Sequence, residues 1–286
     1  MLIVLAPMIH ALHRLTVMRH PKGTRCSARA LAGVLRSRLL AAIIGVTGLA
    51  LEARIAADRY THAIYSGDGS TLAGSLESAI ADDCCGFISF GIAGGLSPDL
   101  PAGTCIVGST IVSETIQLTT DWNWSQALLR LIPDAIHGAI AGVTTTLAHP
   151  EAKRSLHMST GALAVDNESH VVASIAATRS LPMAAFRVIM DPVTRELPAA
   201  ALATVRANGT IDLAALIHAI IRQPGELPAL FRTALDALIA FAALLRSRQL
   251  LGPGLGLPAL QAHGPELSPS PEIPIYGLDG CDLKRS

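Results

Sequence analysis

Residues 40–190 alternate short apolar runs with stretches where small and apolar residues recur at helical spacing. Residues 40–46, 63–65, 86–90, 104–112, 139–146, 162–165 and 183–190 read as strands. Between them, residues 51–57, the face Leu72, Leu76, Ala79 and Ile80, and residues 128–131, 151–158 and 169–177 read as helices. Strands separated by helices of this length can bury both faces only as an α/β sheet with helices packed on it, in one domain. Two or three longer helices follow, at 198–207, 211–222 and 227–250. No internal repeat is visible.

Half of the 286 residues are hydrophobic but only 3% are aromatic, so the core must be built from Ala, Leu, Ile and Val. No uncharged apolar run reaches the roughly 18 to 20 residues of a membrane span, so the apolar residues are expected in buried strands and Ala-rich helices. The five cysteines include the adjacent Cys84 and Cys85 and form no Cys-x-x-Cys pattern, which indicates a reducing compartment and no metal site.

The formal net charge of zero conceals an asymmetry. Residues 1–40 carry seven basic residues and no acid, which leaves 15 basic against 22 acidic residues, a net charge of −7, in the rest. An acidic body argues against a nucleic-acid partner. Residues 1–39 read as a basic N-terminal extension without the features of a secretory signal. It is a loosely ordered arm, sequence upstream of a mis-assigned start, or a basic amphipathic arm for an anionic membrane surface. Residues 40–251 read as one α/β domain, and the Pro-, Gly- and Ser-rich residues 252–286 read as a disordered tail.

Four glycine-rich or acidic junctions stand at the ends of successive strands: Ser66-Gly67-Asp68-Gly69-Ser70, Gly91 to Leu96, Asp166 to Ser169, and Asp191. Taken singly, each is a tight turn, and one acid of the Asp166/Glu168 pair can be a helix cap with the other solvated. Gly67-Asp68-Gly69 lacks the third glycine of a dinucleotide fingerprint. Together the four place backbone amides and carboxylates at the sheet edge where ligands of α/β proteins bind.

The series Phe90-Gly91-Ile92-Ala93-Gly94-Gly95-Leu96, Val165-Asp166-Asn167-Glu168 and Arg187-Val188-Ile189-Met190-Asp191 resembles the superfamily of purine nucleoside phosphorylases and methylthioadenosine/adenosylhomocysteine nucleosidases. The resemblance spans residues 41–250. Within that superfamily, Thr47-Gly48-Leu49, residues 51–56, Glu168-Ser169-His170 and Leu227-Pro228-Ala229-Leu230 are similar to the hopanoid-biosynthesis-associated phosphorylases. The resemblance implies a three-layer nucleoside phosphorylase-like fold with a central mixed β-sheet flanked by helices. It also implies cleavage of the N-ribosidic bond of a purine nucleoside, with adenine leaving a 5′-substituted adenosine such as adenosylhopane.

Residue roles follow from the same resemblance. Asp191 matches the acid at the purine N7, Glu168 the acceptor for the ribose hydroxyls, and Glu52 the glutamate with which hydrolytic members activate water. Glu52 has a competing reading as a solvated helix residue paired with Arg54. Asn167 replaces a methionine under the sugar, and Gly91, Ala93 and Gly94 belong to a turn along the ribose and nucleophile side. Ser66, Gly67 and Gly69 are candidates for a nucleophile or phosphate loop. Phosphorolytic relatives hold phosphate with an arginine before the glycine turn and a serine within it, whereas this chain has Ser89 and Ile92 there. That places phosphate in question unless Arg54, Arg187 or a neighbouring subunit supplies the cation.

Water or inorganic phosphate is the expected co-substrate, with no other cofactor. The expected setting is a cytoplasmic homo-oligomer that meets a small-molecule or lipid-linked nucleoside, in contact with the inner membrane where the basic leader is used. Rival readings are a nucleosidase for small soluble nucleosides and a catalytically silent nucleoside- or lipid-binding module. His149, His157 and His170 are candidate bases that read more simply as structural residues, and Trp122 and Trp124 would flank the pocket or anchor a subunit contact.

Overall fold

A computed structural model describes residues 42–66, 69–80, 84–202, 209–210, 212, 218, 221–222 and 224–258. The expected extension at residues 1–39 lies outside them. The described strands are β1 (Ala42–Thr47), β2 (Thr61–Tyr65), β3 (Cys84–Gly95), β4 (Cys105–Val112), β5 (Gln117–Thr119), β6 (Ile136–Gly142), β7 (Ala164–Asp166) and β8 (Met183–Asp191). The helices are α1 (Ala50–Ala56), α2 (Gly69–Ala79), α3 (Trp122–Leu131), α4 (Pro150–Thr160), α5 (Ser169–Arg179), α6 (Ala199–Leu202) and α7 (Leu227–Leu251).

The strands form one mixed sheet in the order β2-β1-β3-β7-β6-β4-β5. Strand β8 hydrogen-bonds both β3 and β4, so β3, β7, β6, β4 and β8 close a circuit of pairings. Such a central strand has no solvent face, and β8 is an almost unbroken buried run. Its side chains alternate between two cores. Ala184, Phe186 and Val188 pack with Trp124 and Leu128 of α3 and with Ala240, Ala243 and Leu244 of α7. Met183, Ala185 and Ile189 pack with Leu72 and Leu76 of α2 and with Val172, Ala173 and Ala176 of α5. The result is the expected three layers, a mixed sheet between helices. Arg187 is the one charged residue of β8 before its terminal Asp191.

Three features depart from the sequence expectation. The stretch from Gly91 is not a turn: β3 runs unbroken to Gly95, because β8 pairs with it along that length. The helix expected at 128–131 begins earlier, at Trp122, with Asp121 Oδ1 accepting from the Trp124 N–H at 2.8 Å to start α3. Residues 252–258, expected in a disordered tail, belong to the body. They make a short turn, Pro253–Gly256, whose Leu255 is fully buried in the core against α3 and α7. Trp124 Nε1 donates to the Leu255 carbonyl at 3.0 Å, so this buried tryptophan is a fold residue. Asp58 Oδ2 clamps the turn by accepting from Arg248 Nη2 at 2.7 Å and the Gly254 N–H at 3.0 Å.

Helix α7 is long and apolar enough by length and composition to cross a membrane. Its Ala240, Ala243, Leu244 and Leu251 are nevertheless buried.

If the turn is part of the folded core, Leu255→Ala should lower the unfolding free energy by about 2–5 kcal/mol, the usual result of truncating a buried leucine. Urea denaturation measures this, and an unchanged midpoint would return residues 252–258 to a tail.

Candidate active site

The site begins with a change of partner along β3. Its first half, Cys84 to Ser89, pairs with β1, and its last residues, Gly94 and Gly95, pair with β7. Between these ladders, residues 90–93 are bonded to β8 on one side only. A place where the neighbour of a strand switches opens a crevice at the strand ends. Here two side chains take up the backbone groups left over. Glu52 Oε1 accepts from the Ile92 N–H at 2.7 Å, and Arg187 Nη1 donates to the Ile92 carbonyl at 3.3 Å.

Glu52 reaches this gap because the β1–α1 connection is short. From the first turn of α1 its other oxygen, Oε2, accepts from the Leu49 N–H at 2.8 Å. Gly91 has φ 150°, and a Cβ there would lie 2.6 Å from Glu52 Oε1. Glycine is therefore needed for both the backbone angle and the approach of the carboxylate. Glu52 is 1% exposed, which overturns the surface-helix reading, and Arg54 is exposed. Burial pushes the Glu52 carboxyl up, against the opposing pull of Arg187 and of backbone N–H groups that include those of Ile92 and Leu49.

Arg187 gathers the rest. Its Nη2 donates to Ser89 Oγ at 2.5 Å and to Glu168 Oε2 at 3.1 Å. Its Nε lies 2.7 Å from Asp166 Oδ2, a charge contact without the alignment of a hydrogen bond. Asp166 caps α5: Oδ1 accepts from the N–H groups of Glu168 at 3.1 Å and Ser169 at 2.8 Å, and Oδ2 accepts from Ser169 Oγ. That hydroxyl also bonds Ser89 Oγ at 2.9 Å. Asp166 is thus the capping acid of the pair, whereas Glu168 is turned inward and packs against Gly48, where a Cβ would be 2.8 Å from Oε1. Burial, opposed by Arg187 and reinforced by Asp166 and Glu52, pushes the Glu168 carboxyl up to about 8. Three carboxylates and one guanidinium are therefore buried together, and one proton held by the carboxylates relieves their mutual repulsion.

Asp191 stands apart from this cluster. It ends β8 opposite Gly94, four residues beyond Arg187 and so about 13 Å along the strand. Its Oδ2 is in direct contact with Lys153 Nζ, which also donates to the Asp191 carbonyl at 3.3 Å. Lys153, on α4, has no exposed surface. Burial, opposed by Lys153, raises the Asp191 carboxyl to about 6. Burial also lowers the Lys153 ammonium, against the pull of Asp191.

The other candidates fall as follows. Ala93 is buried in the α2/α5 core, and Gly94 packs against Val165 with Asp191 Oδ2 nearby. Gly91, Ala93 and Gly94 are thus strand residues and not a turn. Asn167 is half-buried and donates to Thr146 Oγ1 at 3.1 Å. Ser66 Oγ lies 3.0 Å from Thr71 Oγ1 and Gly69 opens α2, while Gly67 is outside the described residues. His149 pairs with Glu196, His157 Nδ1 lies 2.8 Å from the Ala162 carbonyl, and His170 packs against Gly142. Trp122 is exposed and tilted over His137.

Sequence reasoning missed Lys153, Ser89 and Ser169 as partners. For Lys153 a signal existed: with Leu156, His157 and Thr160 it forms the i, i+3, i+4, i+7 face of α4 that is turned from solvent.

The family model described as the phosphorylase superfamily matches residues 57–222. No curated protein matches this sequence. Among solved structures, the fold is similar to futalosine hydrolase of Helicobacter pylori, at 16% identity over 74% of this chain and 96% of that chain, with a TM-score of 0.51. The same figures describe 5′-methylthioadenosine/S-adenosyl homocysteine nucleosidase of Helicobacter pylori in complex with a pyrrolidine-based ligand. A putative nucleosidase of the same type from Francisella philomiragia matches at 15% identity, covering 74% of this chain and 97% of that chain, with a TM-score of 0.50.

A carboxyl whose folded-state pKa lies above its unfolded value binds more protons in the folded state. The stability it contributes is therefore lost as pH rises between the two values. For Glu168 that window runs from about 4.5 to about 8. Unfolding free energy should fall across this window in the native protein, and Glu168→Gln should flatten the fall. Urea midpoints at half-unit pH steps measure both, and parallel profiles for the two proteins would contradict the buried-proton account.

Proposed function

This chain belongs to the phosphorylase superfamily, and we propose that within it the protein is a nucleoside N-ribosyl hydrolase that releases a purine from its ribose. The observation that carries the reading is the pair Glu52 and Glu168, both buried against Arg187 at the unpaired stretch of β3. Breaking an N-ribosidic bond builds positive charge on the sugar and negative charge on the departing base. Buried carboxylates beside the sugar would stabilise the first, and a proton donor at the purine would stabilise the second.

The roles divide by environment. Glu52, anchored by the N–H groups of Leu49 and Ile92, accepts a proton from the attacking water. Glu168 engages the ribose hydroxyls. Asp191, raised by burial to about 6, donates to the purine N7 from the far end of the same strand pair. The reading requires sugar and base to lie along β3 and β8 between Gly91 and Gly94.

Water is favoured over phosphate by charge. Among the described residues of the cluster, Arg187 is the one cation, and it already faces Asp166 and Glu168. A phosphate placed there would meet three carboxylates with no unopposed cation. Ser89, at the position where phosphorolytic relatives have arginine, is engaged with Arg187 and Ser169.

The finer assignment is adenine release from a 5′-substituted adenosine, adenosylhopane in hopanoid biosynthesis. The Thr47-Gly48-Leu49 and Glu168-Ser169-His170 motifs support it. A methylthioadenosine-type substrate is the alternative within the same chemistry.

Chromatographic detection of adenine after incubation with adenosylhopane or 5′-methylthioadenosine, with and without phosphate, tests the reading. Equal release without phosphate is expected, and Glu52→Gln, Glu168→Gln and Asp191→Asn should each slow turnover by about a hundredfold or more. Strict phosphate dependence would replace hydrolysis by phosphorolysis. Turnover indifferent to all three substitutions would remove these residues from the reaction.

A further inference from the structure

Lys153 has no place in the chemistry described so far, yet its position is unusual. It is a lysine with no exposed surface, on a helix whose flanking residues Glu151, Arg154 and Ser155 are exposed. Its ammonium is held at two points of one residue, the carboxylate and the carbonyl of Asp191. An ammonium is rarely taken out of water, and this one is matched to a single carboxylate at the end of a strand. Such a pair is weak evidence for stability, because burying both charges offsets most of their attraction.

We propose that Lys153 is a positioning residue for Asp191: it fixes the carboxyl at the end of β8 and stabilises the carboxylate left when Asp191 gives its proton to the departing purine. The proposal deepens the hydrolase reading and rests on it. The proton balance is simple. With purine bound, the Asp191 carboxyl carries its proton on the oxygen that faces N7, while Lys153 donates to the other oxygen. As the C–N bond breaks, its electron pair goes to the purine and N7 takes the Asp191 proton. What remains is a carboxylate against the ammonium, across the Lys153 Nζ–Asp191 Oδ2 contact of this structure. Solvent then returns a proton to Asp191 before the next turnover.

The other charged groups around Asp191 are few. Asp236 of α7 raises its carboxyl and Arg195, in the segment after β8, lowers it, but these two contact each other and largely cancel. Lys153, from α4, is the strongest influence that opposes burial. Removing its charge should therefore raise the Asp191 pKa above its present value of about 6. The variant Asp191 would be protonated more of the time and yet be a poorer donor, because its conjugate base has lost the adjacent cation.

Two opposite movements are expected for Lys153→Met, and a merely structural lysine would not produce both. The alkaline limb of the kcat/KM profile for adenine release should move up by about one pH unit or more, while the plateau at low pH falls about tenfold or more. Lys153→Arg should restore the limb toward the native position. Independently of any substrate, carbon-13 carboxyl NMR of the full-length protein, with the Asp191 signal assigned from its loss in Asp191→Asn, should place the Asp191 midpoint at least one unit higher in Lys153→Met.

An unmoved Asp191 midpoint, or a uniform loss of activity with an unmoved limb, would overturn the proposal. If Asp191→Asn itself retained native turnover, the function reading would fall first. If Asp191→Asn is inactive but Lys153→Met behaves as native, the role of Lys153 alone is refuted. Should Lys153→Met not fold, Lys153→Gln, which keeps a hydrogen-bond donor without the charge, carries the same expectations.

Discussion

The guanidinium of Arg187 is the point on which sheet, helix and crevice converge. It sits 1% exposed on a central strand otherwise made of buried apolar residues, where an isolated charge would be too costly to keep. What makes it tolerable is contact with three separate parts of the chain. These are Ser89 and the Ile92 carbonyl on β3, Asp166 at the end of β7, and Glu168 at the start of α5. Each contact fixes a junction as well as a charge. Asp166 can cap α5 while meeting Arg187 because its two oxygens face different ways. A buried network of this kind seldom adds more stability than a well-packed apolar set of the same volume. Its presence therefore points to chemistry.

The acids are housed differently. Glu168 is raised by burial and by two neighbouring carboxylates, with one cation opposing. Asp191 is raised by burial alone to any large extent and is held down by an ammonium of its own. Groups of one chemical type whose environments push them to different pKa values can hold and release protons at different stages of a reaction. The separation along β8 suits a substrate whose sugar and base are charged in opposite senses at the transition state.

The layers of the fold were readable in the sequence because the apolar runs, the helical faces and their spacing all agree. The failures have specific physical causes. The glycines after Phe90 look like a turn because glycine breaks local preferences. Here they serve close approach instead: Gly91 admits the Glu52 carboxylate, and Gly94 packs on Val165. The turn at 253–256 looks like tail because Pro and Gly dominate it, yet Leu255 and the hydrogen bond from Trp124 tie it to the core, a contact 131 residues away in sequence. Glu52 could not be told from a surface glutamate, since its burial depends on Ile92 crossing above it. The inward face of Lys153 was readable from its helical spacing, but its pairing with Asp191 was not, because it is a tertiary contact between a helix and a strand end.

The gap in the β3 ladder links fold to site more closely than any single residue does. A strand that exchanges β1 for β7 as its neighbour must leave a few backbone groups without strand partners, and buried groups left so would cost free energy. This protein satisfies Ile92 with the side chains of Glu52 and Arg187. The groups that complete the sheet are then the buried acid and base of the candidate site. In the proposed reaction a substitution of Glu52 acts on folding and on chemistry together, so the two effects separate only for isosteric changes that keep a hydrogen bond while altering charge.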